Sequence, residues 1–289
     1  MSETQFSVCT PKETSWCPGC GDFGILASVK DALESLGKRP QDVIMMAGIG
    51  QAAKLPHYIK ANGYCGLHGR SLPAAVGVKL SNHDLTVVIN SGDGDIFGEG
   101  GNHFIHTVRR DIDITLILHN NQIYGLTQGQ SSPLSDLGDP TKLQPRGVIS
   151  NPLRGPVLAL SLGARFVARS FSGDQKHLSE TIQKAINHKG FSFVEVLQPC
   201  ISMNKINTFG WYKSRINNIN EDPHYDTKDR MKAIEKAFGW GDNIPTGIFL
   251  DIDEGESFGD RVVQLKKRAL VKQSPLERAV LESVFKEHM

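Results

Sequence analysis

Apolar residues Ile25, Leu26, Val29, Leu33 and Leu36 recur at three- and four-residue spacing. That period predicts an amphipathic helix over Asp22–Leu36, stopped by Gly37. Short apolar runs then alternate with further helical stretches. Val43–Ala47, Leu85–Asn90, Ile112–His119 and Phe191–Leu197 each read as a strand buried on both faces. Ser71–Lys79, Gly101–Arg110 and Asp174–His188 read as helices. The last has Asp174 as its cap, Leu178, Ile182 and Ile186 on one face, and Gly190 as its stop. Strands apolar on both faces and separated by helices predict an α/β fold, a mostly parallel sheet with helices on both sides. No internal repeat is visible. After about Asn204 the pattern weakens, and an irregular C-terminal extension is expected.

Composition narrows the class. Across 289 residues, 32 Lys+Arg balance 31 Asp+Glu, for a formal net charge of +1. Such a balance argues against a nucleic-acid binder that works through bulk charge. With 39% hydrophobic residues and interspersed charge, disorder is not expected. No apolar run reaches the roughly 18–20 residues that cross a bilayer. Residues 1–10 lack a basic start followed by an apolar core, so no secretory signal is expected. These features predict a globular cytoplasmic protein with no membrane segment.

The cysteines are Cys9, Cys17, Cys20, Cys65 and Cys200. An odd count without a signal sequence argues against a disulfide framework. Cys9 is expected to be a small buried hydrophobe. Cys17 and Cys20 form a CxxC, which suits a redox pair, half a zinc site or two ligands of an iron–sulfur cluster. The polar run Thr10–Ser15 before it is not the strand a thioredoxin-like pair needs. A zinc ribbon wants a second close pair, and none exists.

Gly92-Asp93-Gly94 and Asn120-Asn121 each follow the C-terminal end of a predicted strand, with one helix between them. Open α/β sheets bind ligands at that edge. Glycines beside Asp93 let backbone approach a phosphate closely. A carboxylate and an amide oxygen are hard ligands suited to Mg²⁺. Together they predict a Mg²⁺–diphosphate cradle. A lone Gly-Asp-Gly also marks ordinary turns, so the pairing with Asn120-Asn121 carries the reading.

The pattern resembles the thiamine diphosphate motif of the thiamine enzymes. In order along the chain stand Trp16-Cys17-Pro18-Gly19-Cys20-Gly21, Gly48-Ile49-Gly50, Leu67-His68-Gly69-Arg70, Gly92-Asp93-Gly94-Asp95, Gly100-Gly101-Asn102-His103, Asn121–Thr127 and Leu197-Gln198-Pro199-Cys200. Over residues 12–215 these are similar to the β subunit of the 2-oxoacid:ferredoxin oxidoreductases. The segments around Gly100–His103 and Asn120–Gly125 lean toward the 2-oxoglutarate branch. The resemblance implies Mg²⁺ held by Asp93, Asn121 and the Ile123 carbonyl. Gly92, Gly94, Asp95, Tyr124, Gly125 and Leu126 would line the diphosphate. Gly48, Ile49, Gly50 and His68 would line the thiazolium side. Lys54 would face the substrate carboxylate, and it and His68 are the expected catalytic residues.

The reaction implied is oxidative decarboxylation of a 2-oxo acid to CO₂ and its acyl-coenzyme A, or the reverse. Electrons would pass through a [4Fe-4S] cluster to ferredoxin. The glutamate that activates the cofactor would come from an α subunit, in an αβ or (αβ)₂ assembly. Residues 1–210 would form the cofactor-binding domain, and 211–289 an extension packing on it or on that partner. In the family the cluster takes four cysteines. Cys17, Cys20 and Cys200 match three, but Gln51 stands where the fourth is usual, and Cys65 is expected to replace it. Gln128 stands where many relatives carry lysine. The alternatives are the same chemistry on pyruvate or a branched 2-oxo acid, or a non-oxidative thiamine decarboxylase if no cluster is bound.

Overall fold

The computed structural model describes residues 5–8, 13–266, 268–274 and 277–288. Cys9 lies outside them. The predicted apolar runs become strands β1 (Val43–Ala47), β3 (Thr86–Gly92), β4 (Thr115–Asn120) and β8 (Ser192–Leu197). Further strands are β2 (Asn62–Cys65), a β5–β6 hairpin (Ile123–Tyr124 and Gln130–Ser131), β7 (Phe166–Phe171), β9 (Ile216–Asn218) and β10 (Ile244–Asp251). The main sheet has eight strands in the order β2-β1-β3-β4-β8-β7-β10-β9. β2 through β7 in that order are all parallel. β10 runs antiparallel to β7 and carries β9 at its far edge. The fold is thus the mostly parallel α/β arrangement that the sequence implies.

The alternation of side chains explains why both faces are covered. Met46, Val87, Ile89, Leu116, Leu118 and Phe193 pack on one side. Their neighbours Met45, Val88, Ile117 and Val194 pack on the other. Successive residues on a strand point to opposite faces, so each strand feeds two cores. Helices α1 (Asp22–Ser35) and α5 (Gln175–Asn187) cover the second face. Helices α2 (Ser71–Ser81), α3 (Gly101–Arg110), α4 (Gly155–Ser161) and α7 (Arg230–Ala237) cover the first. Short helices α6 (Phe209–Lys213) and α8 (Phe258–Arg261), and the longer α9 (Arg278–Glu287), belong to the C-terminal segment. The Asp174 side chain caps α5 by accepting from His177 N, as the sequence predicts.

Three departures have physical reasons. The run Ile112–His119 pairs only from Thr115, because Asp111 adopts a left-handed conformation (φ 54°) that ends α3 and turns the chain. Ile112 and Ile114 are still buried in the core. The C-terminal stretch, read as an extension, contributes β9 and β10 to the sheet. Pro245 and Gly247 interrupt the apolar run of β10, so its periodicity is weak. β7 escapes a pattern reading because Arg169 and Ser170 stand in its middle. Arg169 is fully buried, and its Nε donates to Glu195 Oε2 at 2.5 Å. Its other nitrogens donate to the carbonyls of Ala237, Gly239 and Pro245. Glu195 Oε1 accepts from Asn120 Nδ2 at 3.0 Å. This pair joins β4, β8 and β7 to the C-terminal segment.

No helix among the described residues is long and apolar enough to cross a membrane. Removing one partner of a buried pair strands the other charge, at about 3–5 kcal/mol. Arg169→Met is therefore expected to lose that much in urea unfolding, and Arg169→Met/Glu195→Leu to recover part of it.

Candidate active site

The order β2-β1-β3 places a switch in the direction of travel across the sheet at β1. The chain goes from β1 to one side, then returns to pair β3 on the other. A crevice opens at the carboxyl ends of strands at such a point. Ile49, Gly50, Gln51, His68, Gly92–Asp95, Asn121 and Ile123–Thr127 line it. Twelve positions expected from the sequence therefore meet in one cavity. Gly48 stands behind its wall, and Lys54 is not among its lining residues. Lys54 sits half-buried in the 3-10 turn Ala52–His57.

Asp95 builds that wall. It is buried, and its Oδ1 accepts from Ile49 N at 3.1 Å and Gly69 N at 2.8 Å. His68 Nδ1 lies 2.9 Å from the same oxygen, and Ser91 Oγ donates to the other. The carboxylate ties the loop after β1 and the Leu67–Arg70 loop to the end of β3. A Cβ on residue 48 would lie 2.0 Å from Asp95 Oδ2, so only glycine fits there.

Asp93 has a different environment. It is buried at the start of the π-helical turn Gly94–Glu99, a rare conformation found at functional sites. Its Oδ2 accepts from Ser132 Oγ at 2.5 Å. Burial pushes its pKa up to about 7, although Ser132 and nearby backbone amides oppose the rise. A buried carboxylate with too few compensating donors suits a divalent cation. Asn121 enters from the end of β4, with Oδ1 accepting from Ile123 N at 3.0 Å. Between them Gln122 is held at φ 58°, a left-handed conformation uncommon for a side chain of this size. Its amide donates to Leu134 O and Asp136 Oδ2. Asn204 Nδ2 donates to Asn121 O at 3.1 Å. Tyr124 packs on the glycines of the turn and donates to Gly94 O at 3.2 Å. Burial and the acids Glu99, Asp93 and Asp95 push its hydroxyl up to about 12, so it remains a neutral donor. Carboxylate, amide and glycine cradle fit Mg²⁺ and a diphosphate.

A second cavity adjoins the first. Trp16, Cys17, Cys20, Asp22, Gln51, Gln198, Cys200 and Ser202 line it, and Gln51, Asn121, Gly125 and Leu126 border both. A Cβ on Gly125 would lie 3.8 Å from Cys200 Sγ. The three cysteines come from distant segments. Gly21 N donates to Pro199 O, Ser202 Oγ to Cys17 Sγ at 2.9 Å, and Gln198 Nε2 to Cys20 Sγ at 3.4 Å. Trp16 Nε1 donates to Gln51 O at 2.9 Å and fastens the CxxC loop to the end of β1. Asp22, next to Cys20, lies 2.7 Å from the buried His119 Nδ1, and His119 Nε2 lies 3.1 Å from Asn90 Oδ1. Burial, then the charge of Asp22, pushes the Cys20 thiol far up. Such a sulfur becomes a thiolate only against a cation. Three sulfurs, two already accepting hydrogen bonds, fit an iron–sulfur cluster.

Cys65 is not brought to this cavity. It lies on β2, paired with Ala47, with its Sγ 3.6 Å from both Ala53 O and His57 Nε2. The turn Ala52–Pro56 packs against both β1 and β2, and Cys65 is not among the residues that line the cavity. The expected substitution of Cys65 for the missing ligand is therefore not what the geometry shows. Ser132, Asn204, Asp22 and His119 support the site but were not singled out from the sequence. They are isolated polar residues without a motif, and only the fold brings them to the cavities.

The family model "Thiamine pyrophosphate enzyme, C-terminal TPP binding domain" matches residues 42–196. A second model, for the C-terminal part of the pyruvate ferredoxin oxidoreductase beta subunit, matches residues 200–267. The 2-oxoacid:ferredoxin oxidoreductase subunit beta of Saccharolobus solfataricus is 44% identical over 260 residues, 86% of this chain and 85% of that one. The 2-oxoglutarate synthase subunit KorB of Methanocaldococcus jannaschii is 36% identical over 242 residues, 83% of this chain and 88% of that one. A structure of the 2-oxoglutarate:ferredoxin oxidoreductase from Magnetococcus marinus, with 2-oxoglutarate, coenzyme A and succinyl-CoA bound, superposes with a TM-score of 0.89. That match is at 33% identity and covers 96% of this chain and 94% of the other. With a thiamine diphosphate crevice at the switch of its sheet and a cysteine-lined cavity beside it, the chain belongs to the β subunits of the 2-oxoacid:ferredoxin oxidoreductases.

Proposed function

We propose that this subunit oxidatively decarboxylates 2-oxoglutarate to succinyl-coenzyme A and CO₂, or runs that reaction in reverse. The observation that carries the reading is the contact of the two cavities across Gln51, Asn121, Gly125 and Leu126. Chemistry in one can thus hand electrons to acceptors in the other over a short path. The 2-oxoglutarate assignment is supported by the names of the KorB relative and of the Magnetococcus marinus enzyme. Thiamine diphosphate, when bound, supplies the nucleophilic carbon and the electron sink for losing CO₂.

The protein's part is positioning and charge. Asp93 and Asn121, with the Ile123 carbonyl, would hold Mg²⁺, and the Gly92–Asp95 turn would take the diphosphate. Tyr124 stays protonated and keeps the turn closed on its glycines. His68, held 2.9 Å from Asp95, would present its other ring nitrogen toward the crevice. Lys54 would orient the substrate carboxylate. Cys17, Cys20 and Cys200 would carry the cluster and pass electrons to a ferredoxin. An α subunit would supply the activating glutamate, and the assembly would work in the cytoplasm. The exposed apolar residues of helix α9, Val280, Leu281, Val284 and Phe285, would serve that partner.

The reading is tested on the co-expressed complex. Thiamine diphosphate with Mg²⁺ at about one hundred times Kd should stabilise it by roughly 2.7 kcal/mol. Asp93→Asn should abolish that shift in a melting experiment and lower activity with 2-oxoglutarate at least about a hundredfold. Turnover of pyruvate or a branched 2-oxo acid in preference, or an active iron-free preparation, would select the alternative substrates or a non-oxidative decarboxylase.

Asp93 also sets a pH dependence. Its native pKa lies above the unfolded value, so the native state binds the extra proton between about pH 4 and pH 7. The cofactor-free protein should therefore lose up to about 4 kcal/mol from this group as pH rises through that window, then level off. Asp93→Asn should remove that slope in urea titrations. Mg²⁺-dependent cofactor binding needs the ionised form, so its affinity should rise toward pH 7 and plateau above it.

A further inference from the structure

Resting on the reading that this chain carries a four-iron cluster, we infer that Gln51, not a fourth thiolate, faces one iron, and that this iron is exchangeable. A cubane cluster presents four irons to the protein. The cavity that would hold it is lined by three cysteines, Cys17, Cys20 and Cys200, and by Gln51. Cys65 is held on β2 by its pairing with Ala47 and by contacts with Ala53 and His57. Bringing it over would unpack Ala52, Ala53, Leu55 and Pro56, all buried.

Gln51 is positioned for the role. Its carbonyl is fixed by Trp16 Nε1, one residue before Cys17. Its side-chain Oε1, like that of Gln198, is buried and has no hydrogen-bond partner among the described residues, and Gln51 alone of the two also lines the thiamine crevice. Leaving an amide oxygen buried and unpaired is unfavourable, and a cation would offset that cost. An amide oxygen is a harder and weaker ligand for cluster iron than a thiolate. Three thiolates also leave the cluster one negative charge short of the usual set, which favours the reduced state. Gln51 lines the thiamine crevice as well, so its side chain stands on the wall that the two cavities share.

An iron without a thiolate leaves on one-electron oxidation: [4Fe-4S]²⁺ gives [3Fe-4S]⁺ and Fe²⁺, the electron passing to an added oxidant such as ferricyanide. The experiment uses the anaerobically purified complex with its partner subunit, and reads iron release and EPR after stoichiometric ferricyanide. Wild type is expected to release about one Fe²⁺ per cluster and show a three-iron signal, both reversed by Fe²⁺ and dithionite. The double variant Cys9→Ser/Cys65→Ser should behave as wild type. Gln51→Cys should hold its fourth iron, with release slowed at least about tenfold. A wild-type cluster that keeps all four irons, or a double variant that alone loses iron, overturns the Gln51 assignment. A preparation with neither iron nor labile sulfide overturns the cluster reading beneath it.

Discussion

A carboxylate taken out of water has to be met by donors, and at Asp95 that requirement shapes the whole crevice. Backbone amides of Ile49 and Gly69, the Ser91 hydroxyl and the His68 ring all turn toward it. These groups belong to three segments that share no sequence neighbourhood. Satisfying one buried charge therefore fixes where β1 ends, where the His68 loop lies and how β3 enters its turn. The close approach leaves no room for a Cβ at residue 48. The Gly48-Ile49-Gly50 segment is the imprint of that carboxylate on the chain.

Two residues away, Asp93 shows the opposite solution. It is as buried as Asp95, but its donors do not offset the loss of water, and burial holds its pKa near neutrality. One carboxylate is satisfied by the protein and builds the wall. The other keeps a raised pKa and lines the crevice. The same division appears at the cysteines. Ser202 and Gln198 already donate to Cys17 and Cys20, whereas the Gln51 oxygen has no donor among the described residues.

The sheet brings the two cavities together. β1, β3 and β4 end at one edge, and Pro199-Cys200 follows β8 at that edge too. The CxxC arrives from outside the sheet, ahead of α1, and is tied on by Trp16 and Gly21. The buried Arg169–Glu195 pair joins the C-terminal strands to the same sheet from the side. The two cavities thus share walls at one edge of the sheet.

The sequence by itself determined four of the helices, α1, α2, α3 and α5, four of the parallel strands, and the positions of Asp93 and Asn121 at strand ends. Those follow from local periodicity and from glycines beside polar residues at strand ends, which adjacent residues encode. It also determined that the fourth cysteine is absent at Gln51. Only the tertiary structure decided that Cys65 stays away from the cavity of Cys17, Cys20 and Cys200. Cys65 is near the site in sequence motif but lies on β2, paired with Ala47 and held against Ala53 and His57. Likewise β7 and β10 were hidden, because Arg169 in one and Pro245 in the other break the apolar run. Their burial makes sense only once Glu195 and the Ala237, Gly239 and Pro245 carbonyls are in reach. Ser132 and Asn204 were hidden for the same reason: a hydrogen bond to a residue dozens of positions away leaves no period in the chain.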